Sequence, residues 1–554
     1  MSHLKSSLRA PEGKWAVSSE RPASTNFSAD IAVHLTCARD EGCSPPQLLL
    51  CTIQHFLYIT DARAINREPL RVVDLRQAGG GGVVAYPTCH AHTAESSDEF
   101  DVAVGLSTGE VVLLSLRAQL KAPASNTRPI SSMCLNLDGC SGSAARCVSL
   151  DWVPGSAGTA FVAAHRDGTV LLYHKASKGA GTGWYHRVDS VVVGSSSDTK
   201  LLARSSSSHA LRPPVTQLQG PGGGGGGVSA AAVSPDGLHV AAACKDGVLR
   251  VYALPGGGLV GGCKSYYGGL LCCAWSPDGR YVAAGGEDDL LAVYSLQERC
   301  VVAYCQGHSS WVSGVAFDPW MCHSEGTEQE ADGPEAPQEQ QHHQQEEQQQ
   351  QQQRQQAAAA DSGASGALQG TADRVYRLAS VGQDCQLALW DIVVSEDLVA
   401  AAQQASANNS PERERPGLPP SPGKRRLGGG GGGNGGSRSS SPLKRHGSGF
   451  ASSFRSRAGG GSGADPGALP AALQAGIIAP PLPRADWPLV TPVVQARVQP
   501  EPACSVVFSA AAMFTACHGS CVRRWARPLL TQASLMQRAD SLQSLQSAEK
   551  PGGR

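Results

Sequence analysis

Short apolar runs broken by small turn signatures recur along much of this chain, and they predict strands rather than helices. Two stretches align without gaps, VSAAAVSPDGLHVAAACKDGVLRVYAL from Val228 and LLCCAWSPDGRYVAAGGEDDLLAVYSL from Leu270, 42 residues apart. Each reads as a strand, a Ser-Pro-Asp-Gly turn, a second strand of small apolar residues, an Asp-containing turn and a third strand ending in an aromatic. Proline fixes φ and Asp-Gly supplies turn chemistry, so SPDG punctuates a hairpin. The same grammar returns in CVSLDWVPGSAGTAFVAAHRDGTVLLYHK (147 to 175), and more faintly at 99 to 117, 47 to 60 and 503 to 527.

A period of about 40–45 residues built from short, evenly spaced strands is the pattern of a WD-repeat β-propeller, in which a ring of blades covers faces that no single blade could bury. The expected fold is all-β, a seven-bladed WD40 propeller with long disordered insertions in blade six. The blades are placed near 31–75, 87–132, 146–194, 228–262, 270–305, 311–391 with a later outer strand at 489–498, and 503–527. The last lacks an obvious fourth strand, and Lys14 to Val17 (KWAV), from the opposite end of the chain, is the candidate to complete it. Residues 1–13 are expected to be disordered and 528–554 a flexible tail.

Blade six is split. GHSSWVSGVAFDPW (307 to 320) has no second half until SVGQDCQLALWDI (380 to 392); Trp275 and Asp288 lie 13 apart, but Phe317 and Asp384 lie 67 apart, a surplus of 54. Joined, the unit carries His308, Ser380, Asp384 and Trp390, expected to form a buried structural chain of hydrogen bonds. A Ser-His-Asp catalytic set is the competing reading. It leaves the repeat pattern unexplained, and no phosphate loop, H-E-x-x-H or G-x-S-x-G elbow accompanies it. The G-x-G-x-x-G matches fall in glycine tracts such as 222 to 227.

Composition narrows the function further. Gly (65) and Pro (35) sit largely in tracts that cannot build a core, and 46 Lys+Arg against 47 Asp+Glu give a net charge of -1, with no global field for nucleic acid or membranes. The eighteen cysteines are scattered through apolar runs as core thiols. The nearest approach to a metal motif, Cys517-x3-Cys521 with His518 between, lies on a strand and lacks zinc spacing. No metal, cofactor or catalytic residue is assigned, and the chain is expected to be a monomer on its own in the cytoplasm, with nuclear entry open.

Two inserts, 321–372 between the first and second strands of blade six and 393–488 between its third and fourth, both leave from the bottom face and read as disordered, Gln-rich and then Gly/Ser/Pro-rich. Docking is therefore expected on the top, where Tyr266 and Tyr267 of GGCKSYYGGLL and Trp311 of GHSSWVS flank blade five; packing between blades is the plainer alternative for them. Ser410, Ser421 and Ser441 precede prolines as candidate phosphosites. Lys424-Arg425-Arg426 reads as an import patch or a solvated charge run, and Pro480 to Arg484 (PPLPR) as a polyproline ligand for an SH3-type groove.

KSYYGGLLCCAWSPDGRYVAAGGEDDLLAVYSL (264 to 296), GHSSWVSGVAFDPW, SVGQDCQLALWDI and FTACHGSCVRRWARP (514 to 528) resemble one WD-repeat family, that of the dystrophia myotonica WD-repeat protein, WD repeat-containing protein 20 and fungal CreC. WVPGS (152 to 156) and PTCH (87 to 90) also match, whereas the first 100 residues match weakly. The resemblance implies a non-catalytic partner that binds and stimulates a ubiquitin-specific protease, alongside a second WD-repeat protein, with aromatic contacts falling on Tyr267 and Trp311. Position 267 is usually Phe in that family. A substrate adaptor for a cullin-type ubiquitin ligase is the alternative, although Trp390-Asp391-Ile392-Val393 lacks the Arg of a WD-x-R docking motif.

Overall fold

The computed structural model describes residues 4–22, 32–39, 45–78, 84–96, 100–130, 132–135, 145–175, 185–192, 227–254, 257–324, 374–408 and 477–528. Seven antiparallel sheets follow one another around a ring. Blade five is representative: Leu270–Trp275 innermost, then Tyr281–Gly286, Leu290–Ser295 and Cys300–Gln306 at the rim. The second and third strands of blade five are buried on both sides because neighbouring blades pack against both faces. Small residues make that possible. Ala283, Ala284, Ala241, Ala243 and Ala379 are fully buried between sheets.

Blade seven closes the ring with the opposite end of the chain. Its strands Ala503–Phe508, Ala512–Cys517 and Val522–Ala526 are completed by Gly13–Arg21, with Val17 opposite Trp525 and Arg21 opposite Val522. Residues 1–13 differ from expectation. Ser7–Ala10 adds a fifth strand, Leu8 is buried, and Glu12 is buried at the turn between the two.

The second insert is also more ordered at its ends than composition suggested. The third strand of blade six runs on to Val394, and the helix Glu396–Asn408 lays Leu398, Val399 and Ala402 against Cys300 and Tyr376. After the return, residues 477–490 form a strap along the outer rim. Ala479 pairs in parallel with Cys263 of blade four, and Leu489–Val490 pairs in parallel with Tyr304 and Cys305 of blade five. The expected outer strand 489–498 is therefore divided, since only Val494–Arg497 completes blade six. Gly262 lets the strap approach: the Ala479 amide donates to its carbonyl at 2.8 Å, and a Cβ there would meet Ile478 Cδ1 at 2.9 Å. Leu482 is buried and Trp487 stacks on Tyr304 at 4.8 Å, so PPLPR is held in the fold and does not offer itself to an SH3-type groove. The first insert likewise begins later than residue 321, because Met321 is buried and His323–Ser324 pairs with Arg374 and Val375.

The first and second strands of the blades bury titratable groups. Burial holds the His34 imidazole down to about 4, His90 well below its usual value and His165 below it too; the same desolvation pushes the Asp151 carboxyl up to about 6. For the histidines, the unfolded chain takes up protons as pH falls below about 6.5 while the folded chain does not, so stability is lost from there towards pH 4. Asp151 opposes this between about 6 and 3.8, where the folded carboxyl holds the extra proton. Asp288 and Asp289, whose carboxyls are also raised, act with Asp151, whereas Asp61, Asp74, Asp236, Asp278 and Asp384, held below the usual range, act with the histidines, so the balance is a net loss on acidification. The melting temperature is expected to fall between pH 7 and pH 5, and a flat or rising profile would contradict this balance.

Candidate functional site

Four of the sequence-derived residues, Tyr266, Tyr267, His308 and Trp311, gather at the top of blades five and six on two loops. In the first, residues 264–270, the chain turns between the rim strand of blade four and the inner strand of blade five. The turn is pinned by Glu287 and Asp288 of the GGEDD turn: Asp288 accepts from the Tyr266 amide at 3.1 Å, and Glu287 from the Gly269 amide at 3.0 Å. Burial raises the Asp288 carboxyl even though backbone amides of Leu290, Tyr266 and Tyr267 bind it. Tyr267 is left 74% exposed. Tyr266 is 50% exposed, with one edge against Trp487 of the strap at 5.3 Å.

The second loop, 307–311, is held by the buried chain of blade six. The Trp390 indole donates to Ser380 Oγ at 2.9 Å, Ser380 Oγ donates to His308 Nε2 at 2.8 Å, and His308 Nδ1 donates to Asp384 at 3.0 Å. Asp384 also accepts from the Ser309 amide at 3.0 Å, and the Trp311 carbonyl accepts from the Gln383 amide at 2.9 Å. Burial alone would raise the Asp384 carboxyl, but the hydrogen bonds from His308 and from the Ser309 and Gln386 amides prevail and hold it below the usual range. An ionised acceptor at one end and an indole donor at the other leave no member of the chain unpaired. Its function here is mechanical, since it fixes the loop that presents Trp311, 42% exposed.

Ser380→Ala strands two buried donors or acceptors at once, the Trp390 indole and His308 Nε2. Each such group costs about 1–3 kcal/mol. The variant is expected to lose about 2–4 kcal/mol in urea denaturation at unchanged m; a change within experimental error would remove the chain from the blade's stability.

Blade seven carries a modified chain that spacing did not disclose. Trp525 Nε1 donates to Thr515 Oγ1 at 3.0 Å, and Gln499 Nε2, where a histidine would stand, donates to the same hydroxyl at 2.9 Å. Tyr294, in the tryptophan position of blade five, instead reaches its neighbour: its hydroxyl accepts from the Gly262 amide of blade four at 3.0 Å.

The top of blades five and six is acidic around its aromatics. Glu287, Asp288, Asp289 and Asp384 all occupy loops on this face, and the Asp289 carboxyl is raised first by burial and then by the charge of Asp384. Among the described residues no group of three or more His, Cys, Asp or Glu is placed to hold a metal ion, and the described cysteines are free thiols. Burial pushes Cys51 and Cys272 up to about 12, which makes them poor nucleophiles. No helix among the described residues is long and apolar enough to cross a membrane. Ser410, Ser421, Ser441 and Lys424 to Arg426 lie outside the described residues.

The family model described as WD domain, G-beta repeat matches residues 212–253 and 260–295. WD repeat-containing protein 20 of Mus musculus is 31% identical over 327 residues, 58% of this chain and 52% of that protein, so the chain spans about half the length of this curated relative. A chain in the crystal structure of the Mitotic Checkpoint Complex aligns with a TM-score of 0.46 at 11% identity, covering 95% of this chain and 93% of that one.

Proposed function

From the premise that the chain is a WD-repeat protein, its blades closed into a β-propeller and related to WD repeat-containing protein 20, we propose that it is a non-catalytic scaffold that binds and stimulates a ubiquitin-specific protease. The observation that carries this reading is the pair Tyr267 and Trp311, large side chains left in solvent on loops that are themselves anchored by buried carboxylates. Exposed aromatics on a rigid frame are the preferred anchors of protein interfaces, because little side-chain entropy is lost on docking. The resemblance to the family of WD repeat-containing protein 20 supplies the identity of the partner, and the acidic surround favours a protease surface that carries Lys or Arg at the rim. A second WD-repeat protein would join the same complex, in the cytoplasm or nucleus.

Stimulation without a catalytic group requires only that the scaffold bind the active conformation of the protease more tightly than the inactive one. The test is a titration of the full chain into a fluorogenic ubiquitin-cleavage assay with purified ubiquitin-specific proteases of the class. A saturable rise in turnover is expected. No rise with any of them, together with recovery of cullin-ligase subunits from cell extract, would transfer the protein to the adaptor class.

A further inference from the structure

A second feature of the top face belongs to blades three and four. Arg146 precedes the inner strand of blade three, Arg166 follows its second strand, and Lys245 follows the second strand of blade four. The backbone brings the three together. The Arg166 amide donates to the Arg146 carbonyl at 2.9 Å, and the Lys245 amide donates to the Gly227 carbonyl at 2.8 Å. Gly227 lies so close to Arg166 that a Cβ would meet its carbonyl oxygen at 2.2 Å and the Lys245 side chain at 3.5 Å. All three cations line the mouth of the central channel, about 690 Å³ in volume.

No described carboxylate offsets them. Asp246, next to Lys245, is taken by Arg250 at 2.6 Å, and Asp167, next to Arg166, accepts from the Thr169 amide at 2.9 Å. Burial and then the charges of Arg166 and Arg146 lower the Lys245 amine. Arg146 is steadied by the Tyr86 ring, 5.5 Å from its guanidinium. On the inner strands of blades one and two, which line the same channel, the Nδ1 atoms of His34 and His90 are buried and unpartnered, so the channel lining itself has unused hydrogen-bonding capacity. Three converging cations, uncompensated on one half of a face whose other half is acidic, form a compact site for one multiply charged anion.

We propose that Arg146, Arg166 and Lys245 form a binding site for the phosphate of a phosphoserine or phosphothreonine on a docking protein. A phosphomonoester carries about −1.5 to −2 charge and three acceptor oxygens, one for each cation. A glutamate offers one charge and two oxygens, and matches the site less well. The channel mouth admits a side chain end-on, while the main chain of the bound segment lies across the rim. The site goes beyond the docking role of Tyr267 and Trp311, and it stands even if no protease is bound.

The probe is a fluorescein-labelled degenerate peptide pool with a fixed central phosphoserine, titrated into the full chain and followed by polarisation, beside the same pool with serine or glutamate at that position. Phosphoserine is expected to bind at least about tenfold more tightly than either. Arg166→Ala/Lys245→Ala, both exposed, should abolish that preference at an unchanged melting temperature, whereas Arg166→Lys/Lys245→Arg should retain most of it. Tyr267→Ala/Trp311→Ala should leave it intact, which separates failure of this site from failure of the protease reading. Equal binding of the three pools, a preference indifferent to Arg166 and Lys245, or full displacement by inositol hexakisphosphate at a lower concentration than by unlabelled phosphopeptide would each overturn the proposal.

Discussion

Arg377→Ala is expected to destabilise the protein by about 3–5 kcal/mol, because it orphans two buried carboxylates at once. The Arg377 side chain is fully buried and bridges the second strand of blade six to two carboxylates. It grips Asp391 with two nitrogens, one of them at 2.8 Å from Oδ2, and it donates to Glu12 at the N-terminal turn. Glu12 in turn accepts from the Trp15 indole at 2.7 Å. Truncating the guanidinium leaves both carboxylates desolvated and without a counter-charge, and opens a cavity beside Trp15. Arg377→Lys keeps the charge but loses the planar fork, and should fall between the variant and the parent. Replacing Arg377 and Asp391 together by Met and Leu, with Glu12→Gln to keep an acceptor for the Trp15 indole, should recover most of the loss, because the penalty lies in the orphaned charges. Urea denaturation measures all three; a loss below about 1 kcal/mol for Arg377→Ala would show that water reaches the site and solvates the carboxylates.

The second large effect concerns binding and leaves stability untouched. Tyr267→Ala and Trp311→Ala are each expected to weaken binding of the proposed protease partner by about 2–4 kcal/mol, roughly 30- to 1000-fold, as central aromatic anchors do. Both rings stand in solvent in the free protein, so the melting temperature should not move. Tyr267→Phe distinguishes two uses of the ring. If the hydroxyl is merely solvated at the interface, affinity holds or rises; if it donates to a partner group, affinity drops about tenfold. Tyr266→Ala should do less to binding, because that ring is partly occupied by Trp487. Calorimetric titration against the protease reads all of these, and equal affinity of wild type and double variant would place the interface elsewhere.

The blade grammar was legible because each repeat is local: strand, turn and strand lie within about forty residues, and alternation marks which residues face the neighbouring sheets. His308, Ser380, Asp384 and Trp390 could be assembled across the insert because both half-repeats kept their flanking signatures. The strap was not legible. Ala479 and Leu489 pair in parallel with strands some two hundred residues earlier, and two-residue pairings have no period to read. Glu12 fell within the expected disordered segment 1–13, and nothing in sequence tells a charge such as Arg377 that its partner will arrive from the other end of the chain. Gln499 escaped because an amide in place of histidine breaks the expected residue type while keeping the hydrogen bond. Arg166 and Lys245 did leave a signal, as HRDG and CKDG are the same turn in successive repeats.

The pairing of Gly13–Arg21 with Val522–Ala526 bears on how the molecule comes into being. A ribosome releases the first strand long before its partner exists. At about 5–20 residues per second, the roughly 500 intervening residues take on the order of 25–100 seconds to emerge. Through that interval the strand around Trp15 has no sheet to join, and blade one presents an open flank. The finished ring has no such edge between its blades, and the open flank persists until the last blade arrives. Ring closure is thus the last step of folding on the ribosome, whatever the stability of the completed fold.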